Sequence, residues 1–542
     1  MTHYRRTLSF GSPPNPNGDL HLGHMSGPFL SADVFIRHRR MLGEDAHYVL
    51  GTDDNQVWTA AKAAQMDKTP QEAADHFAEK IAATFEAARL RVAHYYRPNA
   101  WPPYEELTYE VARKLHADGH LVARDAPATV CPDTGRYLFE VDLAGTCPHC
   151  ETPTYGNGCE NCGLPNNCVD LIDPVVKATG KPPEIRPVRR LFFPLEPHRK
   201  AVEDYVAATP MSTQHRALCE RMLAGELPEI VASHPADWGL PVPIDGFDGQ
   251  VLSAWIEMAP GYLAGSWALA QERGLGDWRT FWCADDAQVV QFFGSDNCWN
   301  HAVLYPVLLR AFDPEIRPPR AFVSFHLYRL DGEKFSTSRG HAVWARELVE
   351  RSSADTMRFY VSHTAPEAEP TNFVMAEFDA FVEGELRGHW QSWLAALGEA
   401  VGGTAPEAGE TTVQQRRFET RVGQLLAEAR EGYAPETFSL QRVTRLASEL
   451  VRIASDFGKS ERAWETVPAP ATRATGLALE LGAARSLALL VAPIMPDFAD
   501  RLWRALGYGD DVSGQAWEEA LELLPAGQKL GELGAEFFPP AP

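Results

Sequence analysis

Apolar and polar positions along the chain follow strand-like and helix-like periods in turn. A short apolar run at residues 7–10 predicts a strand, and residues 25–40 place Phe29, Ala32, Val34, Phe35 and Ile36 largely on one helical face. Residues 46–50 predict a second strand that runs into Gly51-Thr52-Asp53-Asp54, so a β-α-β unit opens the chain. Helical periods return over about residues 69–90 and 103–119. Near Ala126 the pattern breaks into short runs and turn residues, and residues 225–243 are Pro/Trp-rich and irregular. Residues 287–293 are almost continuously apolar, as a parallel strand covered on both faces must be, and residues 321–328 predict another strand. From about Glu377 the period is helical: a first helix, a Gly/Ala/Pro/Glu linker at 401–412, then stretches at 413–433, 440–458 and 472–507. Residues 508–542 carry no strong period, and no internal repeat is visible. The whole predicts an α/β fold with a doubly wound parallel sheet, an irregular insertion and a C-terminal α-helical bundle.

Length and composition narrow this only slightly. A chain of 542 residues exceeds one core and predicts two to four domains. With 45% hydrophobic and 23% charged residues, no apolar run long enough to span a bilayer and no signal-like N-terminus, the expected location is the cytoplasm. The net charge of −23 excludes a protein that coats nucleic acid but leaves local patches open. Arg37-His38-Arg39-Arg40 and Arg189-Arg190 are two such runs, each taken alone more often a solvated helix or loop face than a binding patch.

Four stretches carry chemistry. Ser12-Pro13-Pro14-Asn15-Pro16-Asn17-Gly18-Asp19-Leu20-His21-Leu22-Gly23-His24 joins the first strand to the first helix. A helix N-terminus attracts phosphate, His21 and His24 add donors, and Gly23 lets a ring or phosphate approach the backbone. Cys147-Pro148-His149-Cys150 and Cys159-Glu160-Asn161-Cys162, eight residues apart, can close four thiolates round one tetrahedral, structural Zn²⁺. Gly294-Ser295-Asp296-Asn297 follows a buried strand, which suits a nucleotide ribose. Lys334, Ser336, Thr337, Ser338 and Arg339 lie in a Gly-flanked loop suited to polyphosphate. A further segment carries Trp255, Glu257 and Tyr262, an aromatic wall or ordinary core.

Taken together these stretches resemble class I aminoacyl-tRNA synthetases of the methionyl type. His21-Leu22-Gly23-His24 is similar to that class's HIGH motif, and Lys334-Phe335-Ser336-Thr337-Ser338 to its KMSKS loop. Gly51-Thr52-Asp53-Asp54, Asp237-Trp238-Gly239-Leu240-Pro241-Val242-Pro243 and Ala492-Pro493-Ile494-Met495-Pro496 extend the likeness over nearly the whole chain. The resemblance implies that an amino acid, methionine or a related acid, attacks the α-phosphate of ATP, and that tRNA then accepts the acyl group. It implies that His21, His24 and Lys334 are catalytic, with Mg²⁺ sharing the charge. Gly23, Gly294, Asp296, Lys334, Ser336 and Ser338 would bind ATP. Ser12, Pro13, Asn15, Asp53, Trp255, Tyr262 and His301 would bind the amino acid, with Asp53 (or Asp54, if the alignment slips by one) on its ammonium. The implied layout is a nucleotide-binding first half at 1–115, a connective insertion with the knuckle at 116–230 and the second half at 231–325. The lysine loop and stem-contact region follow at 326–375, an anticodon-binding-like helical domain at 376–510 and a tail at 511–542. A monomer is expected, since no extra dimerising domain is visible.

Three positions depart from the family. Asn15 stands where the family has tyrosine, which makes the side-chain pocket more polar. Thr337 replaces the later lysine of the loop, a change worth on the order of 3 kcal/mol unless Lys334 or Arg339 compensates. The anticodon-reading Asn and Arg have no counterpart in Leu386-Arg387-Gly388-His389-Trp390-Gln391-Ser392-Trp393, although Trp464 matches a base-stacking tryptophan. These departures leave two other readings: a paralogue passing its adenylated acyl group to a small amine, and a catalytically silent binding relative.

Overall fold

The computed structural model of the chain describes residues 4–335, 340–463 and 470–540. Its central sheet has five strands, β1 (Arg6–Gly11), β2 (Asp45–Gly51), β3 (His94–Tyr96), β4 (Ala287–Gly294) and β5 (Ala321–Phe325), in the order β5-β4-β1-β2-β3. β4 runs parallel to both β1 and β5, and β2 parallel to β3. The chain therefore leaves β1 in one direction for β2 and β3, and in the other for β4 and β5. In such sheets ligands bind outside the carboxyl ends of the strands where the order reverses, here at Gly11-Ser12 and Gly294. β4 is buried almost throughout, and its polar Gln288 is accommodated by donating to Thr7 Oγ1 at 2.9 Å.

The residues divide into two compact units. The first takes in the chain up to Asp19, His47–Ala83 and Val92–Phe325. Its core joins Leu8 and Phe10 of β1 and Phe293 of β4 to Ile256, Tyr262 and Leu263 of the helix Ala254–Glu272 and to Leu304 and Leu308. Tyr96 lies flat on the backbone of Gly51 and Gly265, where a Cβ would come within 2.2 and 2.6 Å of its ring. The insertion is built on the antiparallel pair Val122–Val130 and Glu184–Pro194, flanked by Glu229–Val231. Residues 225–243, irregular by sequence, thus hold two short strands, Glu229–Val231 and Ser233–Pro235.

The second unit comprises Leu20–Ala46, Thr84–Arg91 and the chain from His326. Its first helical segment begins at Leu22, kinks at Gly27 (φ −122°, ψ −116°) ahead of Pro28, and continues as Leu30–Met41. The basic run 37–40 is neither a nucleic-acid patch nor a solvated face. Arg37 is buried on Asp33, Arg39 on Glu44, and His38 lies fully buried against Tyr433 and Trp517. Arg190 is likewise buried and donates to the Pro127 carbonyl, whereas Arg189 is exposed.

The C-terminal helices include Val413–Gly432, Leu440–Ala463, Pro470–Val491 and Pro496–Ala505. Thr412 starts the first by exchanging hydrogen bonds with Gln415 at 3.0 and 3.2 Å. The single stretch expected over 472–507 is broken at 492–495, because Pro496 has no N–H to continue it and instead opens the next helix. Ala471–Val491 is apolar enough in composition to cross a bilayer, but 89% of its most apolar window is buried inside the protein, as in a core helix. The tail without a period is packed as well: Leu521, Leu524, Leu533, Phe537 and Phe538 are buried, and Trp517 N–H donates to the Met41 carbonyl at 2.9 Å.

Candidate active site and metal centre

In the second unit, His21 and His24 stack face to face, with ring centroids 3.8 Å apart and planes 17° apart. Phe335, the residue after Lys334, stacks on the other side of His21 at 4.7 Å. Gly23 makes this possible, because a Cβ there would meet the His21 ring at 3.0 Å and Phe335 at 3.2 Å. The turn is pinned by Leu22 N–H donating to the Val343 carbonyl at 3.0 Å. His24 Nδ1 accepts the His21 backbone N–H at 3.2 Å, which leaves the neutral ring's proton on Nε2 as a donor. Burial above all, with His24 and Lys334 adding repulsion, pushes His21 down to about 2, so it too is neutral. The structure thus brings His21, Gly23, His24 and Lys334 together, with Lys334 exposed on a two-residue strand paired with Tyr328–Leu330. Ser336, Thr337, Ser338, Arg339 and Trp464 lie outside the described residues.

In the first unit, Asp53 and Asp54 part company. Arg97 takes the Asp54 carboxylate at 3.0 and 3.1 Å, and Trp238 donates to the Asp54 carbonyl at 3.0 Å. Asp53 is half-buried, its backbone N–H bonded to the Pro14 carbonyl at 3.1 Å. Desolvation pushes its carboxyl well above the usual range, and Glu257 and Glu140 raise it further. Glu257 is itself buried; although Asn55 donates to it at 2.7 Å and Tyr104 at 3.0 Å, burial pushes it up to about 7. Several carboxyls therefore crowd here with Arg97 engaged by Asp54, a setting that a cation would relieve. Arg97 thus engages Asp54, whereas Asp53 has a side-chain hydrogen bond with Gln56.

Tyr262 and His301 meet at 2.7 Å, both almost fully buried. His301 Nδ1 faces the Asn297 carbonyl at 2.9 Å and must donate to it, so Nε2 accepts the Tyr262 hydroxyl. Burial drives His301 down to about 4 and keeps it neutral. Trp255 donates its indole N–H to Glu140. Asn15 Oδ1 accepts from Thr59 at 3.0 Å, which engages the amide carbonyl with the helix Val57–Gln65. Ser12, half-buried beside Pro13, donates its backbone N–H to the Phe292 carbonyl at 3.0 Å. The Asp296 carboxylate lies over Gly294, where a Cβ would come within 2.5 Å of it.

Cys147, Cys150, Cys159 and Cys162 gather with all four sulfurs within 4.8 Å of one another. The Cys147–Cys162 and Cys150–Cys159 sulfur distances are 3.9 and 3.6 Å. Zinc–thiolate bonds of about 2.3 Å give a tetrahedral edge of about 3.8 Å, so the donor set fits Zn²⁺. His149 is turned away, its Nε2 facing the Pro165 carbonyl at 3.0 Å, while its backbone N–H supports Cys147 Sγ at 3.4 Å. Cys131 and Cys168 stand outside the cluster as free thiols.

The sequence pattern of the family described as tRNA synthetases class I (M) matches residues 12–395, well over half of the chain. The chain belongs to that family. Relatives of the chain include the methionine--tRNA ligase of Porphyromonas gingivalis, 28% identical over 97% of this chain and 78% of its own length. That of Pyrococcus abyssi is 28% identical over 95% of this chain and 73% of its own. The solved Mycobacterium tuberculosis methionyl-tRNA synthetase in complex with methionyl-adenylate has the same fold, with a TM-score of 0.79 at 19% identity over 97% of this chain and 98% of that one. A class I (M) core with a parallel sheet, a Cys-rich cluster and a helical C-terminal region is what the chain shows. Sequence reasoning did not single out Arg97, Asn55, Tyr104 or Glu140. Each acts through a partner far along the chain, and no local spacing marks such pairs.

Proposed function

We propose that this chain joins methionine to tRNA, activating the amino acid with ATP to methionyl-adenylate and pyrophosphate and then passing the acyl group to a terminal ribose hydroxyl. The observation that carries this is the packed set of His21, Gly23, His24 and Lys334, two neutral imidazoles beside a cation, in a chain akin over nearly its full length to methionine--tRNA ligases. Adenylate formation needs in-line positioning and stabilised phosphate charge more than a protein nucleophile. Neutral His21 and His24 donate hydrogen bonds to phosphate oxygens, and Lys334 follows the departing pyrophosphate. Mg²⁺ accompanies the nucleotide as its counter-ion. Asp53 takes the substrate ammonium, Gly294 and Asp296 the ribose and adenine side, and Trp255, Tyr262 and His301 the side chain, with Ser12, Pro13 and Asn15 at its edge. A Zn²⁺ held by the four cysteines supplies a structural cross-link to a stretch with little core of its own.

ATP–pyrophosphate exchange measured with each amino acid tests the reading. Methionine should support the fastest exchange, and His24→Ala or Lys334→Ala should cut kcat by about 10²-fold or more. Exchange with no amino acid would favour the silent relative and refute the proposal.

A further inference from the structure

One buried acid of the first unit has no part in the chemistry above. Glu140 opens the short turn Glu140–Asp142 in the insertion, 1% exposed, with a left-handed φ of 45°. That conformation is costly for a residue with a Cβ and persists only where the surroundings enforce it. They do so here: the Glu140 backbone N–H donates to Cys168 Sγ at 3.3 Å, and Phe139 N–H donates to the Asp142 carboxylate at 3.1 Å. The side chain is thereby aimed at the helix Ala254–Glu272, where Oε1 accepts the Trp255 indole N–H at 2.5 Å. Oε2 is buried with no hydrogen-bond partner.

Trp255 is the one residue from 254 to 266 that is not fully buried. A half-open indole has room to change rotamer, and a hydrogen bond to a buried acid removes that freedom. Glu140 also lies within electrostatic reach of Asp53 and Tyr305, whose acidic groups it helps to raise.

We infer that Glu140 is a positioning residue for amino-acid selection: by holding the Trp255 indole, it lets the cysteine-bearing insertion set the shape of the side-chain pocket. The inference rests on the proposed methionine-activating function. Deleting the acceptor frees the indole, which weakens amino-acid binding without touching ATP or the phosphate-side residues.

Exchange kinetics of the full chain test this with Glu140→Ala, Glu140→Gln, Trp255→Phe and the Glu140→Ala/Trp255→Phe double variant. Glu140→Ala should raise the methionine KM about tenfold, with kcat and the ATP KM within about twofold of the parent. Glu140→Gln keeps a carbonyl acceptor and should stay within about twofold of the parent. In the Trp255→Phe background, which has no N–H to hold, Glu140→Ala should add less than about twofold. If Glu140→Ala does not fold, Glu140→Asp, a methylene too short for the indole, carries the same expectation. An unchanged methionine KM, a loss confined to kcat, or an undiminished effect in the Trp255→Phe background would overturn the inference while leaving the function standing. A parent protein without methionine-dependent exchange would overturn the function and this inference with it.

Discussion

A carboxyl such as Glu257, buried against Asn55 and Tyr104 and pushed up to about 7, binds its proton more tightly in the folded chain than in the unfolded one. Its contribution to stability is complete below its ordinary value of 4.5 and is lost as pH rises through about 7, a swing on the order of 3 kcal/mol. The thermal midpoint should therefore fall between about pH 4.5 and pH 7 and level off above that, and Glu257→Gln should flatten that slope; an unchanged slope would show the acid ionised without penalty. Asp53→Asn should raise the methionine KM at least about tenfold with little change in the ATP KM, read by pyrophosphate exchange. The motif residues, His21, His24, Lys334 and the four cysteines, were legible because their spacing is local. The partners that hold Asp54 were not, since Arg97 and Trp238 arrive from elsewhere in the chain. The run 37–40 looks like a patch or a solvated face only while its cations are counted alone; Asp33, four residues before Arg37, and Glu44, five after Arg39, pair with them and allow their burial.

At the scale of elements, Gly23 shows how one missing atom shapes a turn. Gly23→Ala puts a Cβ against His21 and Phe335, and the expected outcome is a fall in kcat of about tenfold or more, with KM values for both substrates nearly kept. The knuckle should hold close to one zinc per chain by elemental analysis, and chelation should lower the thermal midpoint. A folded preparation without metal would refute that assignment. Strands were easy to read where burial on both faces makes an unbroken apolar run, as in β4. The helix Ala254–Glu272 leaves no helical signature in the sequence, because it is buried on nearly all sides and so has no polar face to set a period, and Pro260 and Gly261 interrupt it further.

Across the whole molecule, distant segments are tied by groups that only the tertiary structure reveals. In the second unit the fully buried Arg358 donates to Asp33 at 2.7 Å and to the carbonyls of Ala88, Pro493 and Ile494 at 3.1, 2.9 and 2.6 Å. It thereby joins the first long helix to the break between the last two. Arg358→Met strands three buried carbonyls and leaves Asp33 with Arg37 as its ion-pair partner, and should cost about 3–5 kcal/mol in a urea unfolding curve. The aperiodic tail belongs to the same core, which hydrophobic period alone could not reveal, because its Leu and Phe anchors are held one at a time.

The most direct test of methionyl-tRNA formation is aminoacylation itself: purified protein, ATP, labelled methionine and total tRNA, with the label on tRNA measured against time. We expect methionine to accumulate on tRNA and His24→Ala to abolish most of it. Methionine-dependent pyrophosphate exchange with no label on any tRNA would contradict the account, because the activated acyl group would then be destined for another acceptor.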